Sequence, residues 1–188
     1  MAAATVKVFI PGSGSRGRRR ASRGLTLIEL IVVVCIIALL SVLLLERLRF
    51  YQEAAEKAVM EYNVGAVKSA LHLQVASLLA RGEERKIESL ARANPINWLA
   101  EPPPGYRGEF RAPRPDVPRG SWYFDATQGE LVYVPNLDAH LDRLPDGSKR
   151  LRFRVQISFE PAEPGSERRV FTGMRVEPVT PYTWFFRE

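Results

Sequence analysis

Arg23-Gly24-Leu25-Thr26-Leu27-Ile28-Glu29-Leu30 is the stretch that decides how this chain is read. A basic leader ends there and an apolar run begins. From Leu25 to Leu45 the run has no Gly, no Pro and no charge except Glu29. At 1.5 Å rise per residue, a helix over 25–45 is about 31 Å long, enough to cross a bilayer core. A carboxylate inside such a span is unfavourable by roughly 2.5–3.5 kcal/mol, so Glu29 is a candidate functional residue.

Charge divides at the same junction. The formal net charge is +6, and residues 1–24 carry Lys7, Arg16, Arg18, Arg19, Arg20 and Arg23 with no acid. The remainder holds 21 basic and 21 acidic residues. The basic character therefore belongs to the leader, where the positive-inside rule keeps it cytoplasmic. Nucleic-acid binding is not expected of a neutral remainder. An ordinary secretory signal places its small residues after the apolar stretch. Here Gly24 precedes it, so a cut after Gly24 leaves the helix on the mature protein. Cys35 is the only cysteine and lies mid-span. It excludes an intramolecular disulfide, and Val34 before it does not suit a lipoprotein anchor, so it reads as an apolar packer.

Beyond Leu45 the chain turns amphipathic without a helix breaker. Leu48, Tyr51, Ala55, Val59, Tyr62, Ala66, Ala70 and Leu73 recur at three- and four-residue steps. Arg47, Glu53, Glu56, Lys57, Glu61 and Lys68 fall mostly off that stripe, with Glu53–Lys57 in the favoured i,i+4 order. One helix running to about Ala80 is predicted, with the Tyr/Ala/Val stripe laid on a globular domain. The chain thus divides into a leader (1–24), a membrane span (25–45), its amphipathic continuation (46–80) and a globular domain (81–188).

In that domain Ile87, Leu90 and Ala91 suggest a short helix stopped before Asn94-Pro95. Residues 97–106 read as irregular and pinned by aromatics, and 111–120 as an Arg/Pro-rich surface loop. Residues 121–124 and 131–134 form a hairpin through 125–130. Residues 150–160 alternate as a half-buried strand. Residues 169–176 form another, with Val170, Thr172, Met174 and Val176 on one face. Tyr182, Trp184 and Phe185 pack the tail. The expectation is an α+β fold, a long N-terminal helix against an antiparallel sheet of about four strands.

Tests for chemistry are mostly negative. Gly12-Ser13-Gly14-Ser15-Arg16-Gly17 has dinucleotide-loop spacing, but Pro11 precedes it, Arg18-Arg19-Arg20 follow, and it lies upstream of the cut. His72 and His140 belong to no metal or triad pattern, and no enzyme site is expected. Asp138, Asp142 and Asp146 form an acidic loop whose oxygens suit Ca²⁺. The spacing is not that of an EF-hand, and Arg143 and Lys149 dilute the field, so it reads as a solvated loop with calcium the alternative.

Gly24 followed by Leu25-Thr26-Leu27-Ile28-Glu29-Leu30 and a hydrophobic stretch resembles the prepilin signature of the type IV pilin and type II secretion pseudopilin family. The family usually has Phe where Leu25 stands. The resemblance implies cleavage after Gly24 by a prepilin peptidase and N-methylation of Leu25. It also implies pairing of Glu29 with the N-terminal amine of a neighbouring subunit. The spans (Leu25, Thr26, Leu27, Ile28 and Leu30 through Leu45) then pack as a filament core. The expected location is the bacterial inner membrane, single-pass, with the C-terminal domain periplasmic until assembly. The expected partners are self or sibling subunits, the peptidase, and an assembly platform with its ATPase. Major pseudopilins of the family bind calcium in a loop, which is the context for Asp138, Asp142 and Asp146. The family often carries a Gly and a Pro within the apolar helix, the Pro near the position of Glu46, and a C-terminal disulfide. This chain has none of these, and its first Gly after the cut is Gly65. Those departures tilt the reading toward a pseudopilin or minor pilin. The alternative is a single-pass anchored periplasmic binding or scaffold domain that never polymerises, with Glu29 snorkelling at the membrane end.

Overall fold

The computed structural model describes residues 26–112, 116–163 and 169–185, and only the backbone of Glu46. Two compact units divide the chain, Met1–Leu44 and Leu45–Glu188. Helix α1 runs Leu27–Ala80. It ends where Gly82 takes φ +69, with Glu83 N–H donating to Leu78 O (2.9 Å). Two 3-10 segments follow, Glu84–Arg92 and Pro95–Trp98. The second is capped by Asn94, whose Oδ1 accepts from Ile96 N (3.1 Å).

The fold class is α+β, but the sheet has five strands and is mixed, where about four antiparallel strands were expected. They are β1 (Tyr106–Phe110), β2 (Ser121–Asp125), β3 (Glu130–Val134), β4 (Leu151–Pro161) and β5 (Arg169–Pro178), lying in sequence order. β2 to β5 form an antiparallel meander, whereas β1 pairs with β2 in parallel. The strand missed is β1. Its sequence, Tyr-Arg-Gly-Glu-Phe, has two apolar residues, and its register shifts between Tyr106 and Glu109, around Gly108 at φ +97. Such an edge strand hides from periodicity. Because β1 and β2 are parallel, the Arg/Pro-rich segment between them must return the chain to the starting end of the sheet.

Two expected faces also change. On α1 the buried side chains are Glu53, Met60, Val64, Val67, Ala70, Leu71 and Val75. At 100° per residue that stripe lies nearly opposite the expected one. Tyr51, Val59, Tyr62 and Leu73 are exposed, Tyr62 by 76%, and of the expected stripe Ala70 alone is buried. Both stripes have helical period; the aliphatic one fills the core and the Tyr/Ala one does not. On β5, Phe159 pairs with Phe171 but Ser158 with Gly173, so Thr172 is an extra, bulged residue. Past it the alternation inverts. Phe171 packs on the core while Val170 and Thr172 are exposed.

The core joins Met60, Val64, Val67, Leu71 and Val75 to Trp122, Leu131, Tyr133, Leu151, Phe153, Val155 and Val176, closed by Ile87, Leu90, Ile96 and Trp184. Each such side chain contributes about 1.5–3 kcal/mol by leaving water. One glycine is sterically fixed. Gly105 has φ +80, and a Cβ there would stand 2.6 Å from Gly120 O. Gly105→Ala should lower the urea midpoint of the full chain in detergent by the equivalent of about 2–4 kcal/mol. Gly82→Ala, with φ +69 and open space around it, should cost about 1 kcal/mol. Equal effects would show that the clash at Gly120 is relieved by movement.

Candidate functional site

Among the described residues, the candidate site begins at the N-terminal turn of α1. Thr26 accepts the Glu29 N–H on Oγ1 (3.3 Å), and its carbonyl accepts the Leu30 N–H (3.1 Å). Thr26 thus caps free amide donors. Glu29 lies in the first turn, where the positive end of the helix dipole favours a carboxylate. Its side chain is exposed and forms no hydrogen bond or ion pair among the described residues. Gly24 and Leu25, the expected cleavage and methylation residues, lie outside the described residues.

The side chains around Glu29 are apolar and turned outward. Leu27, Ile28, Leu30 and the rest of the run through Leu45 are exposed, from 77% at Leu27 to 42% at Val33. The helix is long and apolar enough to cross a membrane, and none of its most apolar window is buried within the chain. Cys35 is among the exposed residues. Exposed apolar area on this scale needs lipid or other helices to cover it.

A second arrangement, which sequence reasoning missed, lies farther along α1. Glu53 is 2% exposed. Its Oε1 accepts from His140 N (2.9 Å) and Trp184 Nε1 (3.0 Å), and its Oε2 accepts from His140 Nδ1 (2.8 Å). Burial alone pushes the Glu53 carboxyl up, but the His140 and Trp184 donors more than reverse this and hold it below its ordinary value. One turn on, Glu56 accepts from Tyr133 Oη (2.7 Å), Asn136 N (2.5 Å) and Leu137 N (2.9 Å). Burial, and then the Glu56 charge, raise the Tyr133 phenol. Two helix carboxylates thus receive the backbone of the 136–140 loop and the tail indole. Lys57 does not join Glu53, as the i,i+4 order suggested. It reaches Glu61 (3.8 Å) and Trp184 O (3.1 Å).

The tail is held by backbone as well. Leu141 and Trp184 form an antiparallel bridge, Asp142 N–H donates to Thr183 O (3.0 Å), and Phe185 N–H donates to His140 O (3.1 Å). Phe185 has φ +66, a left-handed conformation that bulky residues rarely adopt. Its ring stacks on His140 at 5.1 Å, and Phe50 meets both rings edge-on, at 5.4 Å from His140 and 5.2 Å from Phe185.

The candidate calcium aspartates are engaged separately. Asp138 pairs with Arg119 (3.3 Å) while its carbonyl accepts from Lys149. Asp146 accepts from Ser148 N (2.9 Å) and pairs with Arg152. The Ser148 donors, with Arg152 behind them, hold its carboxyl below the usual range. Asp142 is exposed. Among the described residues no group of three or more His, Cys, Asp or Glu gathers closely enough to hold a metal ion. His72 stands on the exposed side of α1 with Nδ1 2.7 Å from Lys68 O.

The chemistry available here is that of association: a carboxylate in an apolar helix with no partner among the described residues, a second exposed stripe, and an anchored tail. No family model, no curated protein and no solved structure matches the chain.

Proposed function

We propose that this chain is a filament-forming subunit, a pseudopilin or minor pilin of a type II secretion or type IV pilus-like machine. The observation carrying the reading is the junction: the sequence Gly24-Leu25-Thr26-Leu27-Ile28-Glu29 leads into a helix whose apolar side chains from Leu27 to Leu45 are exposed. A prepilin peptidase cuts after Gly24 and Leu25 is methylated. The subunit waits in the inner membrane with its pilin-like domain in the periplasm. On assembly the Glu29 carboxylate meets the Leu25 amine of a neighbour. In a low-dielectric bundle this pairing offsets the desolvation of both charges and favours one axial stagger. The protein is structural rather than enzymatic, and the energy for assembly comes from a separate ATPase acting through the platform.

Intact-mass measurement on membrane-purified protein tests the processing step. The expected mass begins at methylated Leu25, with residues 25–188 retained. A chain keeping Arg23-Gly24 in cells that possess the peptidase removes the filament reading and leaves the non-polymerising anchored domain.

A further inference from the structure

Glu53 joins two separate segments of the globular unit. The 139–142 loop reaches it through His140 N–H (2.9 Å) and His140 Nδ1 (2.8 Å), and the tail reaches it through Trp184 Nε1 (3.0 Å). Loop and tail then hold each other. Leu141 and Trp184 form a bridge, Asp142 N–H donates to Thr183 O (3.0 Å), and Phe185 N–H donates to His140 O (3.1 Å). Among the described residues, the other hydrogen bond from α1 to the tail is Lys57 Nζ to Trp184 O (3.1 Å). Leu141 and Trp184 are each only 2% exposed while this arrangement is closed.

Both segments are pinned independently just outside this region. The loop is fixed at Asn136 and Leu137 by Glu56 (2.5 and 2.9 Å), and at Asp138 by Arg119 and Lys149. Beyond the loop, Leu144 N–H donates to Ser148 O (2.9 Å), and the tail starts where Val179 N–H donates to Arg152 O (2.8 Å). None of these bonds uses Glu53, and neither do the ladders joining β1 to β5. Protonation would remove the charge that attracts the three donors and add an O–H where donors already converge. Burial pushes the Glu53 carboxyl up, but the His140 and Trp184 donors more than reverse this, so the closed form is favoured at higher pH. That advantage is lost as pH falls through the depressed value. The charged and titratable groups around Glu53 are His140 and Asp142 on the loop and Arg49, Glu56 and Lys57 on α1, while residues 179–185 of the tail carry no charge. Of the acids among them, Glu53 is the one that accepts from both segments.

We propose that the 139–142 loop and the 180–185 tail form a clasp that opens as one unit when Glu53 takes up a proton, while the sheet and the helix packed on it stay folded. Opening exposes Leu141 and Trp184 and leaves the pinned residues on either side in place. The clasp does not depend on the filament reading. The full chain in detergent, labelled with 5-fluorotryptophan, tests it through three tryptophans in different places: Trp98 after the Asn94 cap, Trp122 in β2 and Trp184 in the tail. As pH falls from 7 to 3, the Trp184 fluorine signal should move to the position of a solvent-exposed indole before those of Trp98 and Trp122 change. Glu53→Gln should raise the exposed Trp184 population at pH 6 about tenfold, the equivalent of one charge-assisted hydrogen bond, and flatten its dependence on pH. Movement of all three signals together means global unfolding and overturns the clasp. A Glu53→Gln chain that follows the wild-type curve, or an Asp146→Asn chain that abolishes it, gives the trigger to another carboxyl and overturns it too. The order of exposure in the wild type is read without any substitution, so it decides the matter by itself where Glu53→Gln fails to fold.

Discussion

Glu29→Ala should leave cleavage after Gly24 at its normal extent and abolish recovery of the protein in sheared or cross-linked filaments. The asymmetry follows from where the carboxylate sits. Glu29 is exposed in an otherwise apolar first turn, and its side chain meets no donor among the described residues. Removing it relieves the roughly 2.5–3.5 kcal/mol that a carboxylate costs in a span, so the variant inserts at least as readily. What is lost is the partner for a neighbour's amine. In filament-fraction immunoblots the variant should fall below about a tenth of wild type, since losing even one buried charge pairing of 1.4 kcal/mol is a tenfold effect. Normal incorporation would sink the assigned role of Glu29 without touching the processing step, which intact mass reads independently.

Glu53→Ala should be among the most destabilising single changes in the globular unit, about 3–5 kcal/mol. It leaves the His140 amide and the buried Trp184 indole without their common acceptor, and removes the partner of the exposed His140 ring, at a carboxylate only 2% exposed. Trp184 fluorescence should shift red, because the indole is then free to leave the core. The pH dependence has the same origin. The folded-state carboxyl lies below its ordinary value, so its contribution is fully present above the unfolded carboxyl's titration near 4.5 and is lost as pH falls through the depressed folded value. Wild type should thus lose stability on acidification below about pH 4.5, and Glu53→Ala should lose less over the same range. Equal slopes in urea titrations at pH 3.5 and pH 6 would show that Glu53 is not the group responsible.

The long helix was legible because nothing between Leu25 and Ala80 interrupts it: no Pro, one Gly at position 65, and apolar residues recurring at helical spacing. The β2–β3 hairpin and the alternation of β4 were legible for the same reason, since local pattern and local structure coincide. Elsewhere tertiary context decided. Two stripes on α1 have helical period, and choosing between them requires the shape of the sheet that meets one of them. Glu53 sits on the buried stripe, so its charge disguised the core face as the wet one. No pattern on the helix signals that its three donors come from residues 140 and 184. Thr172 carries no mark of a bulge, yet that one extra residue moves Phe171 to the core face. At the candidate site Glu29 was conspicuous as a lone charge. The tail anchor was invisible, because its members are ordinary residues until the fold brings them together.

The hydrogen bond from the Trp184 indole to Glu53 spans 131 residues of chain, and that separation is also an interval of time. At about 5–20 residues per second of synthesis, Glu53 is made roughly 7–26 s before Trp184. Throughout that interval the first half of the helix can already be committed to its surroundings while Met60, Val64, Val67 and Leu71 wait for the sheet and for Trp184 to be translated. The Glu53 site is thus completed only once Trp184 has been made. A nascent chain that has not yet reached Trp184 has its helix and strands all encoded, but its buried Glu53 carboxylate still lacks the indole donor.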